Sequence, residues 1–319
     1  MQKVAIRSLL TLTLALLSVV AARAEELRWK FKDGEALNYV LKRGVDGKIT
    51  LSGAEIAFTL EMIFDTTWKA TAVAEDGVAD VDLTVDRIQI VMDSPLAGRM
   101  AYDSSAEKEP EGPVWAQMGP VMKGMLGQTF KTKISPLGKV SDIQLPEKLQ
   151  DVLGKQEVGE NRRQGLGIGG NSFNAKGIKE LIEQSVVPLP EEATAEAEWS
   201  RSFENAMPGM GTQFSETFFS YEGPEKVDGK ELAKISGETE ILFEPEENPR
   251  ADLEIMAQES GATFLFDAQA GHLVKADGSQ HLEMEITGPQ EVSQVITEKM
   301  SMQLGKSPEK PAAEAAESK

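Results

Sequence analysis

Two histidines, His272 and His281, are all the imidazole in this chain, and it contains no cysteine. Thiol nucleophiles, thiolate metal sites and disulfides are therefore excluded. A metal site would need both histidines together with a carboxylate such as Glu283. The spacing contains no His-x-x-x-His pair. It reads instead as two surface histidines on neighbouring strands of one meander, His272 at a turn and His281 at a strand start. No Gly-x-Ser-x-Gly element is present to expose a serine nucleophile.

Other constellations are weaker than their letters. Gly165-x-Gly167-x-x-Gly170 spells a dinucleotide fingerprint, but the polar Asn-Arg-Arg-Gln before it is no strand, so it reads as linker. Asp76, Asp80, Asp82 and Asp86 resemble a calcium ladder. Asp80 and Asp82 alternate with Val81 and Leu83, however, which places them on a solvated strand face rather than in a loop that wraps an ion. Paired carboxylates suit glycoside hydrolysis, yet among 52 acids some proximity is expected by chance. Trp29, Trp68, Trp115 and Trp199 are scattered along the chain. No catalytic residue, cofactor site or metal site is nominated.

The remaining candidate is apolar. Trp115, Met118, Met122 and Met125 fall on one side of a helix expected from Val114 to Leu126, interrupted or begun by Pro120. Such a stripe packs as plain core, or lines an adaptable groove for an acyl chain or apolar peptide.

The elements that would position this stripe are mostly strands. Ile56, Phe58, Leu60, Met62 and Phe64 alternate with Ala57, Thr59, Glu61 and Ile63, and Leu37, Tyr39 and Leu41 alternate before them. The next strand carries Val81, Leu83 and Val85, then Ile88, Ile90 and Met92. That one-residue slip predicts a β-bulge near Asp86-Arg87. Ala233, Ile235, Thr239, Ile241 and Phe243 share one face later on. So do Ala262, Phe264 and Phe266, and then Val292, Ile296, Met300, Met302 and Leu304. Between the two strand-rich halves, Leu149, Val152 and Leu153 follow Pro146 on one short helix, which Gly154 can close. Ile178, Leu181, Ile182 and Val186 mark another, stopped by Pro188 and Pro190. The expected class is α+β, mainly antiparallel β. It is either two sheet-bearing lobes or one long curved, open-barrel-like sheet with a few helices packed on it.

The ends have their own composition. Residues 1–24 combine Lys3 and Arg7, an apolar run from about Leu9 to Ala22, and the small pair Ala22 and Ala24. This reads as a signal peptide and implies export to the periplasm or medium. Segments 25–145 and 191–305 are expected to be the β lobes, 146–190 the helices and Gly-rich linker, and 306–319 a disordered Pro/Ala/Glu/Lys tail. The chain carries 33 basic and 52 acidic residues, net −19. Removal of Lys3, Arg7 and Arg23 with the leader leaves 30 against 52, net −22. That balance opposes nucleic acid and anionic membrane surfaces.

Several stretches carry a resemblance. These are Leu27-Arg-Trp-Lys-Phe-Lys-Asp-Gly-Glu-Ala-Leu-Asn-Tyr39, Gln128-Thr-Phe-Lys-Thr-Lys-Ile-Ser-Pro-Leu-Gly-Lys-Val140, Pro188-Leu-Pro190 with Trp199, and Phe266-Asp-Ala-Gln-Ala-Gly-His-Leu-Val274. Together they resemble a family of uncharacterised exported β-rich proteins common in planctomycete-type bacteria. The chain has Ala197-Glu198 where that family tends to have Gly-Asp before the tryptophan. The resemblance implies a β-rich exported fold and assigns no functional residues. The reading that follows is an exported, non-catalytic binding or interaction protein, its ligand an apolar molecule held between helix and curved sheet, or its partner an envelope protein. The alternatives are a structural envelope-associated protein and a carboxylate-dependent hydrolase.

Overall fold

The structure is a computed structural model that describes residues 26–95, 98–106, 108–158, 174–194 and 197–306. The expected leader, the glycine fingerprint at 165–170 and the tail beyond 306 lie outside the described residues. Among the described residues there are twelve strands and three helices. The strands form one antiparallel sheet, ordered β6-β5-β3-β2-β1-β12-β11-β10-β9-β8-β7, with β4 paired to β3.

Long alternating segments become long strands. β1 (Ala36–Leu51), β2 (Ala54–Val73) and β3 (Ala79–Ser94) make up the first half. They are followed by β4 (Gly98–Asp103), β5 (Thr129–Ile134) and β6 (Val140–Gln144). The second half is β7 (Glu198–Met207), β8 (Gly211–Val227), β9 (Lys230–Pro245), β10 (Asp252–Asp267), β11 (His272–Thr287) and β12 (Val292–Leu304). Ser52-Gly53 and Asp228-Gly229 join β1 to β2 and β8 to β9, with positive φ at both residues of each pair. That is the turn whose twist matches the flanking strands.

The two halves are not separate sheets. Tyr39 pairs with Leu304 and Leu51 with Val292, so β1 and β12 join them along their whole length. The expected bulge is present: Asp65 faces Arg87 and Thr66 faces Val85, which leaves Asp86 as the extra residue. Beyond it the Arg87 guanidinium forks onto the Asp103 carboxylate of β4, at 3.1 and 2.6 Å. Burial pulls the Asp103 carboxyl up, but hydrogen bonds from Arg87, Ser105 and Gln89 outweigh this and hold it well below the usual carboxylate range.

Register assigns the faces. One row runs Ile90, Met62, Arg43, Met300, Gly278, Ala262, Gly237, Phe219, Trp199 from β3 to β7. Directly opposed residues project to the same side. Ile90, Met62 and Phe219 are in the main core, so this row marks the inner face. α1 (Pro113–Met125), α2 (Glu147–Val158) and α3 (Ala175–Gln184) supply residues to the same core. α1 begins with Pro113 and runs through Pro120, and α2 continues past Gly154.

The sheet must curl around α3. Arg201 of β7 donates to Glu183 O at 2.9 Å and Val186 O at 2.7 Å, at the C-terminal end of α3. On its other flank α3 borders Leu41 and Arg43 of β1. β1 and β7 are six places apart in the sheet order, about 29 Å if flat. A helix about 10–12 Å across reaches both only if the sheet bends round it. The N-terminal segment closes the same core. Trp29 stacks on Phe31 and Trp68, meets the Phe266 ring edge-on, and donates to Val187 O at 2.9 Å.

Candidate functional site

Two concavities follow from this geometry, one on each face. The inner one is apolar. Rows from Leu41, Phe64 and Met302 down to Trp68, Leu83 and Phe130 floor it, and Ile178, Leu181 and Ile182 of α3 roof it. These three helix residues fall at i, i+3 and i+4, so one face of α3 covers the crevice. Its volume is about 80 Å³. An apolar cavity of about 150 Å³ binds benzene, so this space takes the end of a chain or the edge of a ring.

Little polarity intrudes. Thr66 and Ser185 bring hydroxyls to the lining. Thr66 Oγ1 donates to Tyr39 O at 3.3 Å and Ser185 Oγ to Ile182 O at 2.6 Å, so both are satisfied locally. The Trp68 indole Nε1 is buried with no hydrogen-bond partner.

The methionine stripe borders this region unequally. Met125 lines the crevice. Met122 is buried in the main core, and Trp115 is buried with its ring 4.3 Å from that of Tyr102. Met118 is partly buried against the core. Only part of the lining was therefore nominated from sequence. The other members were visible as alternation (Leu41, Phe64) and as helical spacing (Ile178, Leu181, Ile182). Nothing in the letters showed that these elements meet.

The outer concavity is polar. A trough of about 1590 Å³ crosses the strands from β2 to β7 on the face away from the helices. The backbone of the Arg43 row is its floor. One wall is the row Lys42, Ser301, Asp277, Thr263, Ser236, Ser220, and the other includes Glu61, Lys299, Ser279, Glu238 and Phe218. A Cβ added at Gly44 or Gly261 in these walls meets nothing within 4 Å. Long twisted strands make a saddle, and a saddle that is concave round its helices is concave along its strands on the other side. Glu222 sits here with its carboxyl lowered by hydrogen bonds from Ser236 and Ser220.

The two histidines stand on one strand, β11, rather than on neighbours. Nine residues separate them, but Val274 is an extra, bulged residue between them: His272 pairs with Asp267 and His281 with Glu259, eight residues apart on β10, so both project to the same face. His281 contacts Thr297 and Glu283 at 3.0 and 3.1 Å. Asp80 pairs with Lys133 at 2.5 Å, while Asp86 accepts from Thr67 at 2.6 Å and Asp76 from Val78 N at 3.1 Å. These three aspartates thus hold separate partners. Among the described residues no group of three or more His, Asp or Glu is placed to hold a metal ion. No helix among them is long and apolar enough to cross a membrane.

Fold and site define an open, curved antiparallel-sheet protein with a helix-filled inner face. The chain belongs to a family of unknown function, DUF6263, whose profile matches residues 76–271. No curated protein matches it. Among solved structures it is similar to lipovitellin, in a structure of lipid–protein interactions, at 10% identity and TM-score 0.43. That match covers 89% of this chain, and the chain spans only about a quarter, 27%, of the lipovitellin chain. It is also similar to DynF from the dynemicin biosynthesis pathway of Micromonospora chersina, at 8% identity and TM-score 0.23, covering 91% of this chain and 88% of that one. A third likeness is to an outer membrane channel from Pseudomonas putida F1, at 6% identity and TM-score 0.22, covering 87% and 98%.

Proposed function

We propose that this is an exported, non-catalytic binding protein that holds an apolar molecule between α3 and the curved sheet. The observation that supports this is the inner crevice, whose hydroxyls are satisfied by the chain itself and whose remaining lining is apolar apart from the Trp68 indole N–H. Burial of an apolar group there yields about 25 cal/mol per Å² removed from water. The test is titration with an environment-sensitive naphthylamine probe. Met125→Phe and, separately, Ile178→Phe fill the crevice, and each is expected to weaken probe binding at least tenfold. Urea denaturation of both variants shows whether the fold survives. No binding to the wild-type chain, or unchanged binding to both folded variants, sinks the reading. Export rests on residues 1–24 and is tested by N-terminal sequencing of the protein from its own host, where the chain is expected to start at Glu25.

A second reading rests on the size and polarity of the outer trough, which suits an extended polar partner in the envelope. Gly44→Trp and Gly261→Trp project into open space and would obstruct it without touching the core. Photo-cross-linking in intact cells should lose an adduct in both variants. An adduct pattern identical to wild type argues against the trough.

A further inference from the structure

We infer that the molecule held at α3 is an amphiphile, with its chain in the crevice and an anionic, oxygen-bearing head in a polar pocket beside it. This rests on the binding reading above and goes further by naming the ligand class. The pocket, about 160 Å³, lies along the other flank of the same helix and is lined by Arg43, Asn174, Lys176, Glu180, Gln184 and Asn205, among others. Lys176, Glu180 and Gln184 stand at i, i+4 and i+8, so they form one stripe on α3. Ile178 and Ile182 roof the crevice from another side of the helix.

Leu181 lines both spaces, so a single side chain separates the apolar space from the polar one. The strand beneath repeats the division. Leu41 lines the crevice and Arg43 the pocket, on the same face of β1 and about 7 Å apart. A bound chain that passes Leu181 therefore carries its head to Arg43.

The pocket is rich in donors. A guanidinium, an ammonium and three carboxamides face one carboxylate, Glu180, which lies 3.5 Å from Lys176. The N-terminal end of α3 reaches the pocket through Asn174 and Gly177, and a helix N-terminus favours negative charge. Arg43 is held by Glu298, whose Oε2 accepts from Nη2 at 2.9 Å. Arg43 Nε also lies 2.5 Å from Glu298 Oε1, so the carboxylate covers one edge of the guanidinium and an oxygen of the head group would approach the other, at Nη1.

The experiment displaces the naphthylamine probe from the full chain with three ligands that share a ten-carbon chain: decanoate, decanol and decyltrimethylammonium. The protein's net negative charge repels anions at long range, so ionic strength is set near 0.15 M, where the Debye length is about 8 Å. Decanoate should bind at least tenfold tighter than decyltrimethylammonium, with decanol between them. The double variant Arg43→Met/Glu298→Gln removes the ion pair as a unit. It should bring decanoate to the level of decanol and leave decanol unchanged. Lys176→Met, at an exposed side chain, should lower the decanoate preference about threefold and guards against a misfolded double variant. Equal affinity for decanoate and decyltrimethylammonium, or a preference that survives in both variants, overturns the amphiphile while probe binding keeps the apolar reading intact. Absence of probe binding overturns that reading and this inference with it.

Discussion

Ser260 completes the backbone ladder of Thr239 with its side chain. Its Oγ accepts from Thr239 N–H at 2.6 Å and donates to Thr239 O at 2.9 Å. Two residues on, Gln258 does the same for Ile241, accepting at 2.8 Å and donating at 3.1 Å. The β9–β10 ladder stops at Ala262 and Gly237, so these two side chains hold together a sheet whose strands have begun to part. Ser260→Ala or Gln258→Leu leaves a backbone donor and acceptor partly buried and unpaired. Each is expected to cost about 0.5–1.5 kcal/mol, and the double variant more. Amide exchange at Thr239 and Ile241 should accelerate. Urea midpoints unchanged in both single variants would show that water replaces the side chains at no cost.

Arg201 ties the last strand to the helix that covers the crevice. Burial lowers its pKa to about 10, partly offset by Glu183, so the guanidinium stays charged at neutral pH. Its Cζ lies 5.2 Å from the centre of the Phe203 ring and 5.8 Å from that of Phe219. Arg201→Met removes two charge-assisted bonds to carbonyls but also removes a buried charge, so the net loss should be about 1–3 kcal/mol. The loss should be local: exchange protection over 175–187 falls while that of β1–β3 holds. Arg201→Lys should rescue only part of the loss, because both bonds leave one nitrogen, Nη1, which an ammonium can imitate, whereas the packing of the planar guanidinium on Phe203 and Phe219 is lost. Full protection of α3 in Arg201→Met would contradict the tie.

His272 makes stability depend on pH. Burial lowers its pKa below the ordinary 6.5, against the pull of Asp267 and Glu35, and its Nδ1 is buried without a partner. Below that ordinary value the unfolded chain takes up a proton that the folded chain resists. The unfolded state then binds more protons, so stability falls as pH falls from about 6.5 until the folded imidazole titrates too. His272→Gln should flatten that segment of the profile. Equal unfolding free energies for wild type at pH 7.5 and 5.5 would remove the effect.

The sheet was legible in the letters because period-two alternation is a local signal. The slip between Val85 and Ile88 was enough to place the bulge at Asp86. The choice between two lobes and one sheet was not legible, since the pairing of Tyr39 with Leu304 joins residues at opposite ends of the chain. The site shows the same limit. Met125 stood out through helical spacing. Leu41, Phe64 and Met302 become neighbours only through cross-strand register, and α3 comes between β1 and β7 only because the sheet curls. The shared strand of His272 and His281 was not legible, since β11 runs without a break from His272, read as lying at a turn, through His281, read as the start of another strand.

Gly47 is where a small residue makes room for a large one. A Cβ built there would lie 2.1 Å from Phe58 Cζ, its partner across β1 and β2. Phe58 is buried in a small satellite cluster with Ile49 and Val292, remote from α3. Gly47→Ala therefore forces the ring off its position, which costs about 1–3 kcal/mol. Phe58→Leu alone leaves a gap and also destabilises, by about 1–2 kcal/mol. In the double variant the new methyl enters the space the ring has left. The two losses should then add to less than their sum, with a coupling of at least about 1 kcal/mol in a double-mutant cycle. Strict additivity would mean that the ring turns aside freely and that glycine at 47 serves the backbone alone.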